Sequence, residues 1–248
     1  MKKILEIIGI LASLAGLIGV SLTMILDDST KSWIALAVFC SAVFFACFQL
    51  YQLTKKTIEQ RYPNGYLSLS AFVRYVTSDG DNITYEVFRH IQVKRPVMSF
   101  FKHKFSWSGT KDPQCESDLQ NVTAPMPIPG ETTRALNLKF KNPRVYNDVE
   151  IVHLRMKLDD SDHNSSPFLN QTVTAPIRLI SFRVELLHAT PAYFGKMASF
   201  KRKRIENGHS AIEETLETIA FDANTKSYFH QISDPEPGYH YKLAWEKP

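Results

Sequence analysis

The sequence predicts two N-terminal transmembrane α-helices that form a hairpin, followed by an all-β antiparallel domain that is either a sandwich or a barrel. Two long apolar runs near the N-terminus predict the helices. After them, short alternating segments separated by turn signals predict strands. Hydrophobic residues make up 44% of the 248 and charged residues 22%, which excludes a disordered or fibrous chain. The predicted domains are therefore 1–61 and 62–248.

The first apolar run, Ile4–Leu26, carries a single charge, Glu6, close to its start. At a rise of about 1.5 Å per residue it spans about 34 Å, enough for a hydrocarbon core about 30 Å thick. A cleaved signal peptide is the alternative, because Lys2 and Lys3 resemble the basic start of such a signal. The run exceeds the usual apolar length of about 7–15 residues and no convincing cleavage site follows. We therefore interpret it as a membrane helix.

The second apolar run, Trp33–Leu53, follows a short polar segment. Positively charged residues flank the pair of runs on its outer sides: Lys2, Lys3, Lys55, Lys56 and Arg61. The connecting segment carries Asp27, Asp28 and only Lys31. The positive-inside rule therefore predicts a multi-pass protein with both termini in the cytoplasm.

Small residues recur four positions apart along both predicted helices. They are Ala12, Ala15, Gly16 and Gly19 in the first helix, and Ala42 and Ala46 in the second. Such spacing lets helix backbones approach closely in lipid. Two interpretations stay open: packing within one hairpin, or association of hairpins from several subunits. No polar stripe follows either helix, which argues against a permanently open aqueous channel.

Alternating apolar residues predict the strands of the second domain. In order they are Tyr66–Val76, Ile83–Val93, Phe105–Trp107, Ala135–Phe140, Val149–Leu158, Ile177–His188 and Tyr239–Trp245. About eight to ten short strands in a domain of this length favour one antiparallel sandwich or barrel.

The segments between these strands are predicted as turns and loops, with one exception. Thr77–Gly80 is a turn signal, and Ala124–Pro129 and Asp159–Pro167 are loops. Glu206–Phe221 contains the best helix candidate, because Ile212, Leu216 and Ile219 follow helical spacing. Thr215 and Thr218 also allow a strand there.

Motifs for catalysis and metal binding are absent from the sequence. There is no phosphate-binding glycine loop, no H-E-x-x-H, no C-x-x-C and no G-x-S-x-G. Three cysteines are too few for a disulfide scaffold. The carboxylates of Asp159, Asp160 and Asp162, beside His163, suit a turn better than a metal site. We therefore predict no metal, no cofactor and no enzyme.

Two basic segments are candidate binding sites. In the first, Lys102 and Lys104 share one face of a predicted strand, with Trp107 nearby for stacking on a base. The alternative is a strand whose aromatic residues lie in the core and whose lysines are solvated. The second segment is Lys201, Arg202, Lys203 and Arg204, by default a solvated loop. Its charges also suit anionic headgroups or a nucleic acid.

The arrangement of Ile4–Leu26, Trp33–Leu53 and the strands after Tyr66 resembles the two-transmembrane, β-strand-rich effectors of bacterial anti-phage defence. These accompany cyclic-oligonucleotide (CBASS-type) systems or retrons. The resemblance implies a toxic, abortive-infection protein of the bacterial inner membrane that acts as a homo-oligomer. It further implies activation by a cyclic oligonucleotide, or by loss of an inhibitory reverse transcriptase–nucleic acid complex. The alternatives are a non-toxic anchored module that recruits a partner, and a membrane-tethered enzyme.

Overall fold

The structure is a computed structural model of the chain that describes residues 28–130, 133–205 and 212–248. Contacts between Cα atoms divide the chain into two compact units between Arg61 and Tyr62. The first predicted transmembrane helix, Ile4–Leu26, lies outside the described residues, together with its small residues Ala12, Ala15, Gly16 and Gly19. The hairpin therefore stays a prediction.

Helix α1 spans Asp28–Arg61 and contains the whole second apolar run. Its 34 residues correspond to about 51 Å at about 1.5 Å per residue. Asp28 lies in the first turn and Arg61 in the last, which suits the helix dipole at both ends. No side chain of α1 is buried, and it is the one helix in the described part that is long and apolar enough to cross a membrane. The structure thus confirms one candidate membrane-spanning helix near the N-terminus.

The second unit is built from strands. Those in the described residues are β1 (Tyr66–Thr77), β2 (Asn82–Val93), β3 (Val97–Phe105), β4 (Gln114–Glu116), β5 (Asn121–Val122), β6 (Met126–Pro127), β7 (Arg134–Val145), β8 (Val149–Asp159), β9 (Phe168–Val173), β10 (Ile177–Leu186), β11 (Met197–Arg204), β12 (Glu213–Ala220), β13 (Ser227–Ser233) and β14 (Tyr239–Ala244). The prediction of a β-rich domain after an apolar helix is confirmed.

The strands form three open sheets. The first sheet has six strands in the order β13-β10-β1-β2-β8-β4. The second has the order β12-β11-β14-β9, and the third the order β3-β7-β5 with β6 also paired to β7. None of these sheets closes into a barrel within the described ranges.

One strand pair corrects the prediction of an entirely antiparallel domain. Strands β1 and β10 run parallel, with Val73 beside Phe182. Parallel neighbours need a long crossover connection. The chain between β1 and β10 contains β2 to β9, which include the whole third sheet, so it is long enough to form this crossover.

All three sheets share one hydrophobic core. Tyr66 of the first sheet packs on Phe101 of the third, with ring centroids 5.0 Å apart. Phe182 of the first sheet packs on Phe200 of the second at 5.7 Å. The inward side of the first sheet therefore faces both smaller sheets.

The structure decides one local alternative that the sequence left open, and it overturns one default prediction. Residues 213–220 form strand β12, not a helix, because they pair with β11 along an antiparallel register from Met197–Ala220 to Lys203–Glu213. The basic run at 201–204 is likewise the end of strand β11 and not a loop. Oppositely charged residues on the two strands stabilise this pairing, since Arg202 Nε donates to Glu214 at 2.7 Å.

Candidate functional site

Strand β3 places most of its aromatic residues on one face and its lysines on the other. Phe101, His103 and Phe105 are buried, whereas Lys102 and Lys104 are exposed on the opposite face. Alternation along the strand places every second side chain in the core and leaves these lysines in solvent. This matches the alternative interpretation of the segment.

Strand β7 adds further lysines to the same face. Leu136, Leu138 and Phe140 of β7 are buried, so Lys139 and Lys141 share the outer face with the β3 lysines. We name Phe100, Lys102, Lys104, Lys139 and Lys141 the lysine face. Its central pairs are Phe100 opposite Lys139 and Lys102 opposite Asn137.

Most lysines of the lysine face have no opposite charge beside them in the described part of the chain. Lys102, Lys139 and Lys141 have no carboxylate partner among residues 28–130, 133–205 and 212–248. Lys102 and Lys139 are diagonal neighbours across the strand pair, a separation of about 7–8 Å between Cα atoms. Like charges this close repel each other, so a bound polyanion would relieve the repulsion. The exposed ring of Phe100 adds a stacking surface beside them.

Trp107 is not brought together with these lysines. Strand β3 ends at Phe105, and Trp107 packs partly buried against the hydrophobic core. Its indole Nε1 donates to the Lys111 carbonyl oxygen at 2.9 Å. Trp107 therefore has a structural role, and the aromatic side chain on the lysine face is Phe100.

The second basic segment is divided between two faces of the second sheet. Lys201 and Lys203 pair with Lys242 and His240 of β14 on the outer face, whereas Arg202 pairs with the buried Tyr241. Alternation places Arg204 on the same side as Arg202.

Arg202 is held by several partners. It donates to Glu214 at 2.7 Å and to Glu236 at 3.2 Å, and it stacks on the Tyr239 ring at 4.8 Å. The guanidinium is therefore engaged within the domain and is poorly placed to meet a ligand.

On the outer face of the second sheet, two of the three lysines contact one carboxylate. Glu213 accepts from Lys201 at 3.2 Å and from Lys242 at 3.4 Å. Although burial works to raise the pKa of Glu213, these lysines lower it below its ordinary value. Since this carboxylate offsets part of the positive charge, the lysine face is the stronger candidate for binding a polyanion.

Lysines 139, 141 and 242 were not predicted from the sequence as site residues. Each lies on a strand far along the chain from the basic segment it joins. Alternation in 135–140 already indicates that Lys139 points away from the core. What the sequence does not reveal is that β7 pairs with β3.

The carboxylates of the 159–163 segment are all held by the protein. Asp159 accepts from Lys111 at 2.7 Å, Asp160 accepts from Lys247 at 2.7 Å, and Asp162 accepts from Asn164 at 3.1 Å. In the described parts of the chain, no three His, Cys, Asp or Glu side chains converge as metal ligands.

Helix α1 presents its predicted packing residues at the surface. Ala42 and Ala46 are exposed, four residues apart on one side of the helix. Cys40 and Cys47 are exposed about 100 to 160° away around the axis. The alanine side offers the closest backbone approach available on this helix.

Together these features define a β domain with a cationic face, preceded by an apolar helix with membrane-spanning length. No protein-family model matches the chain, and no curated protein matches its sequence. Among solved structures, the M1 zinc metallopeptidase of Deinococcus radiodurans is 9% identical over 73% of this chain, with a TM-score of 0.34. A two-domain M1 zinc metallopeptidase bound to L-tryptophan is 10% identical over 73% of this chain, also with a TM-score of 0.34. The chain spans 42–43% of those structures' length, and so distant a likeness carries no argument about fold or activity.

Proposed function

We propose that this protein is a membrane-disrupting toxic effector of a bacterial anti-phage, abortive-infection system. In this proposal, residues 62–248 sense a phosphate-rich signal in the cytoplasm, and the predicted N-terminal hairpin damages the inner membrane when several chains associate. The signal is a cyclic oligonucleotide, or the loss of an inhibitory reverse transcriptase–nucleic acid complex. The protein is not an enzyme in this proposal and needs no cofactor.

The observation that carries the proposal is the pairing of an exposed apolar helix with a β domain that bears the lysine face. Eleven large apolar side chains of α1 are exposed, a surface that a soluble monomer rarely presents. On the β domain, Lys102, Lys139 and Lys141 are positioned for phosphates. An anchor and a phosphate-binding domain in one chain are the two parts that such an effector requires.

Association of several chains is the step that makes the helices toxic. Lipid-facing backbone must keep all its hydrogen bonds, and two helices cannot enclose an aqueous path. A single chain is therefore harmless. The side of α1 that carries Ala42 and Ala46 is the described surface best suited to such contacts.

The A42L/A46L variant tests this contact. We expect it to insert normally and to depolarise the inner membrane much less than the natural chain, because larger side chains hold neighbouring backbones apart. The control is C40L/C47L, which enlarges small residues on a different side of α1. The measurement is a membrane-potential dye in bacteria that express the full chain strongly, alone or with a cyclic-oligonucleotide synthase.

The two expression arms separate the two signals. Depolarisation by the chain alone favours release from an inhibitory complex, and depolarisation only with the synthase favours a cyclic oligonucleotide. A membrane-inserted chain that leaves the potential unchanged in both arms contradicts the effector proposal. The alternative function, a non-toxic module that recruits a partner to the membrane, would then take its place.

A second prediction concerns the sensing surface. The K102A/K139A/K141A variant is expected to bind a single-stranded DNA oligonucleotide about tenfold or more weakly than the natural chain. The plot of log affinity against log salt concentration is expected to be less steep, its slope falling in magnitude by about 2, because three phosphate contacts are lost. Fluorescence anisotropy of the full chain in detergent micelles measures both.

The matched control removes three lysines that have carboxylate partners elsewhere on the domain. In K111A/K157A/K196A the lost pairs are those with Asp159, Glu116 and Glu246. This control is expected to bind nearly as the natural chain does. If K201A/K203A weakens binding and the lysine-face variant does not, the ligand lies on the second sheet instead.

A further inference from the structure

A small cavity lies where the first and second sheets meet. Its volume is about 40 Å³, and its lining includes Tyr66 and Ser68 of β1, Arg89 of β2 and Gln171 of β9. Strand β1 has a register shift between Ser68 and Ser70, which leaves Leu69 as an extra residue. Bulges of this kind redirect side chains and are frequent beside functional sites.

The charge of Arg89 is not compensated within the described ranges of the chain. Its Nη2 donates to the Gln171 side-chain oxygen at 2.5 Å, and its Nε is buried without a hydrogen-bond partner. Arg89 has no carboxylate partner in the described ranges of the chain. Arg89 is half-buried, but its Nε is removed from water without an acceptor or a counter-charge, which is unfavourable, so an anionic partner is expected there.

Three ionisable groups of the described chain on which the Arg89 charge acts are neutral near pH 7. Burial raises the pKa of Tyr85 to about 12, more than Arg89 lowers it. Burial likewise raises the pKa of Tyr66. Burial, together with the charge of Arg89, lowers the pKa of His103 to about 3, so this imidazole carries no charge near pH 7. None of the three supplies the missing negative charge.

A second donor lines the cavity without a partner. Ser68 is 9% exposed, and its buried Oγ makes no hydrogen bond. Gln171 is 7% exposed, and its amide nitrogen already donates to the Thr172 carbonyl oxygen at 2.8 Å. The open hydrogen-bonding capacity is therefore a guanidinium N–H and a hydroxyl, both of which can donate to an oxyanion.

We propose that this cavity binds a phosphate group, with Arg89 and Ser68 as its donors. The unpartnered Arg89 N–H is a charged donor suited to a phosphate oxygen, and the Ser68 hydroxyl donates from a different strand. The volume is too small for a whole nucleotide. The source is inorganic phosphate or the terminal phosphate of a nucleotide whose remainder stays outside. This site is separate from the lysine face and does not depend on the proposed toxicity.

The test is calorimetric titration of the full chain in detergent micelles with inorganic phosphate, and separately with AMP, at constant ionic strength. The natural chain is expected to bind phosphate, and R89M is expected to bind none. The S68A variant is expected to bind about tenfold more weakly, the effect of one lost hydrogen bond to a charged group. The control is R178M, which removes an exposed arginine of β10 and is expected to bind as the natural chain does.

A thermal-unfolding measurement separates binding from a structural role of Arg89. Phosphate is expected to raise the unfolding midpoint of the natural chain and of R178M but not that of R89M. Without phosphate, R89M is expected to unfold no earlier than the natural chain, because it removes an uncompensated charge.

Several results would overturn the proposal. They are the absence of phosphate binding to the natural chain, equal binding by R89M, and equal binding of acetate and phosphate. If R89M does not fold, an unchanged phosphate affinity in S68A is sufficient to reject it. Binding of AMP with the same dependence on Arg89 assigns the site to a nucleotide phosphate, whereas binding of inorganic phosphate alone assigns it to the free ion.

Discussion

A chain that begins at Tyr62 is expected to leave the membrane fraction completely and to lose all toxicity. The apolar surface of the described N-terminal unit belongs to α1, where eleven large apolar side chains are exposed. Each Leu, Ile, Phe or Val at the centre of a membrane helix contributes about −0.3 to −0.6 kcal/mol to insertion. Without α1 and the residues before it, the β domain has no comparable drive to enter lipid.

The measurement is fractionation of bacteria that express the truncated chain, combined with the membrane-potential dye. A chain of residues 28–248 is the matched control, since it keeps α1 and lacks the first apolar run. We expect this control to remain in the membrane fraction and to be much less toxic than the full chain, because the proposed damage requires the hairpin.

The opposite result would change the functional proposal. If residues 62–248 kill as soluble protein, the helices are only an anchor, and the activity lies in the β domain. The membrane-tethered enzyme would then become the first hypothesis. If the truncated chain instead stays in the membrane fraction, a surface of the β domain binds lipid, and the exposed lysines of the two smaller sheets are the first candidates.

The parts of the fold that sequence predicts well are those with a strong local signal. Trp33–Leu53 is a long, predominantly apolar run and lies within a helix. The alternation in 135–140 matches the buried and exposed sides of β7. Short edge strands such as β4 and β5 have no such signal, because two or three residues show no periodicity.

The predictions that failed depend on which strands pair. The parallel neighbours β1 and β10 begin about 110 residues apart, and a single sequence carries no local sign of their pairing. In 213–220, Leu216 and Ile219 fit helical spacing, yet the ladder with β11 overrides that preference. Local propensity is a weak guide where long-range pairing decides the structure.

The candidate sites show the same contrast between features of a single strand, which the sequence predicts, and features that depend on which strands pair. Lys102 and Lys104 were predicted to share a face because that requires only alternation along one strand, and both are exposed on one face of β3. The sequence predicted neither the place of Lys139 on the lysine face nor the cavity lined by Arg89, because each depends on contacts between distant strands. An arginine within a strand gives no sign in the sequence that its carboxylate partner is missing.

The carboxylate of Asp160 provides the largest expected effect on the stability of the β domain. Its side chain is fully buried, at 0% exposure. It accepts from Ser165 Oγ at 2.6 Å, from the Ser165 backbone N–H at 2.8 Å and from Lys247 Nζ at 2.7 Å. These bonds fix the turn after β8 against the end of the chain at Lys247.

Replacing Asp160 with Asn is expected to lower the free energy of unfolding of the β domain by about 2–3 kcal/mol. An amide offers one acceptor oxygen where the carboxylate offers two, so a buried donor loses its partner. The measurement is denaturant unfolding of the full chain in detergent micelles, followed by tryptophan fluorescence. D159N is the control, and we expect it to change stability little, because the Asp159 pair with Lys111 is solvated.

The dependence on pH distinguishes the ionised carboxylate from a merely space-filling side chain. Although burial works to raise the pKa of Asp160, the bonds from Lys247 and Ser165 hold it below its ordinary value. A carboxyl with a lowered pKa in the folded state stabilises the fold above the ordinary pKa of about 4, and this contribution is lost as the pH falls through the folded value. The difference between D160N and the natural chain is therefore expected to be constant from pH 6 to pH 8 and to shrink below about pH 4. A difference that stays the same down to the lowest pH would show that the charge of Asp160 contributes nothing.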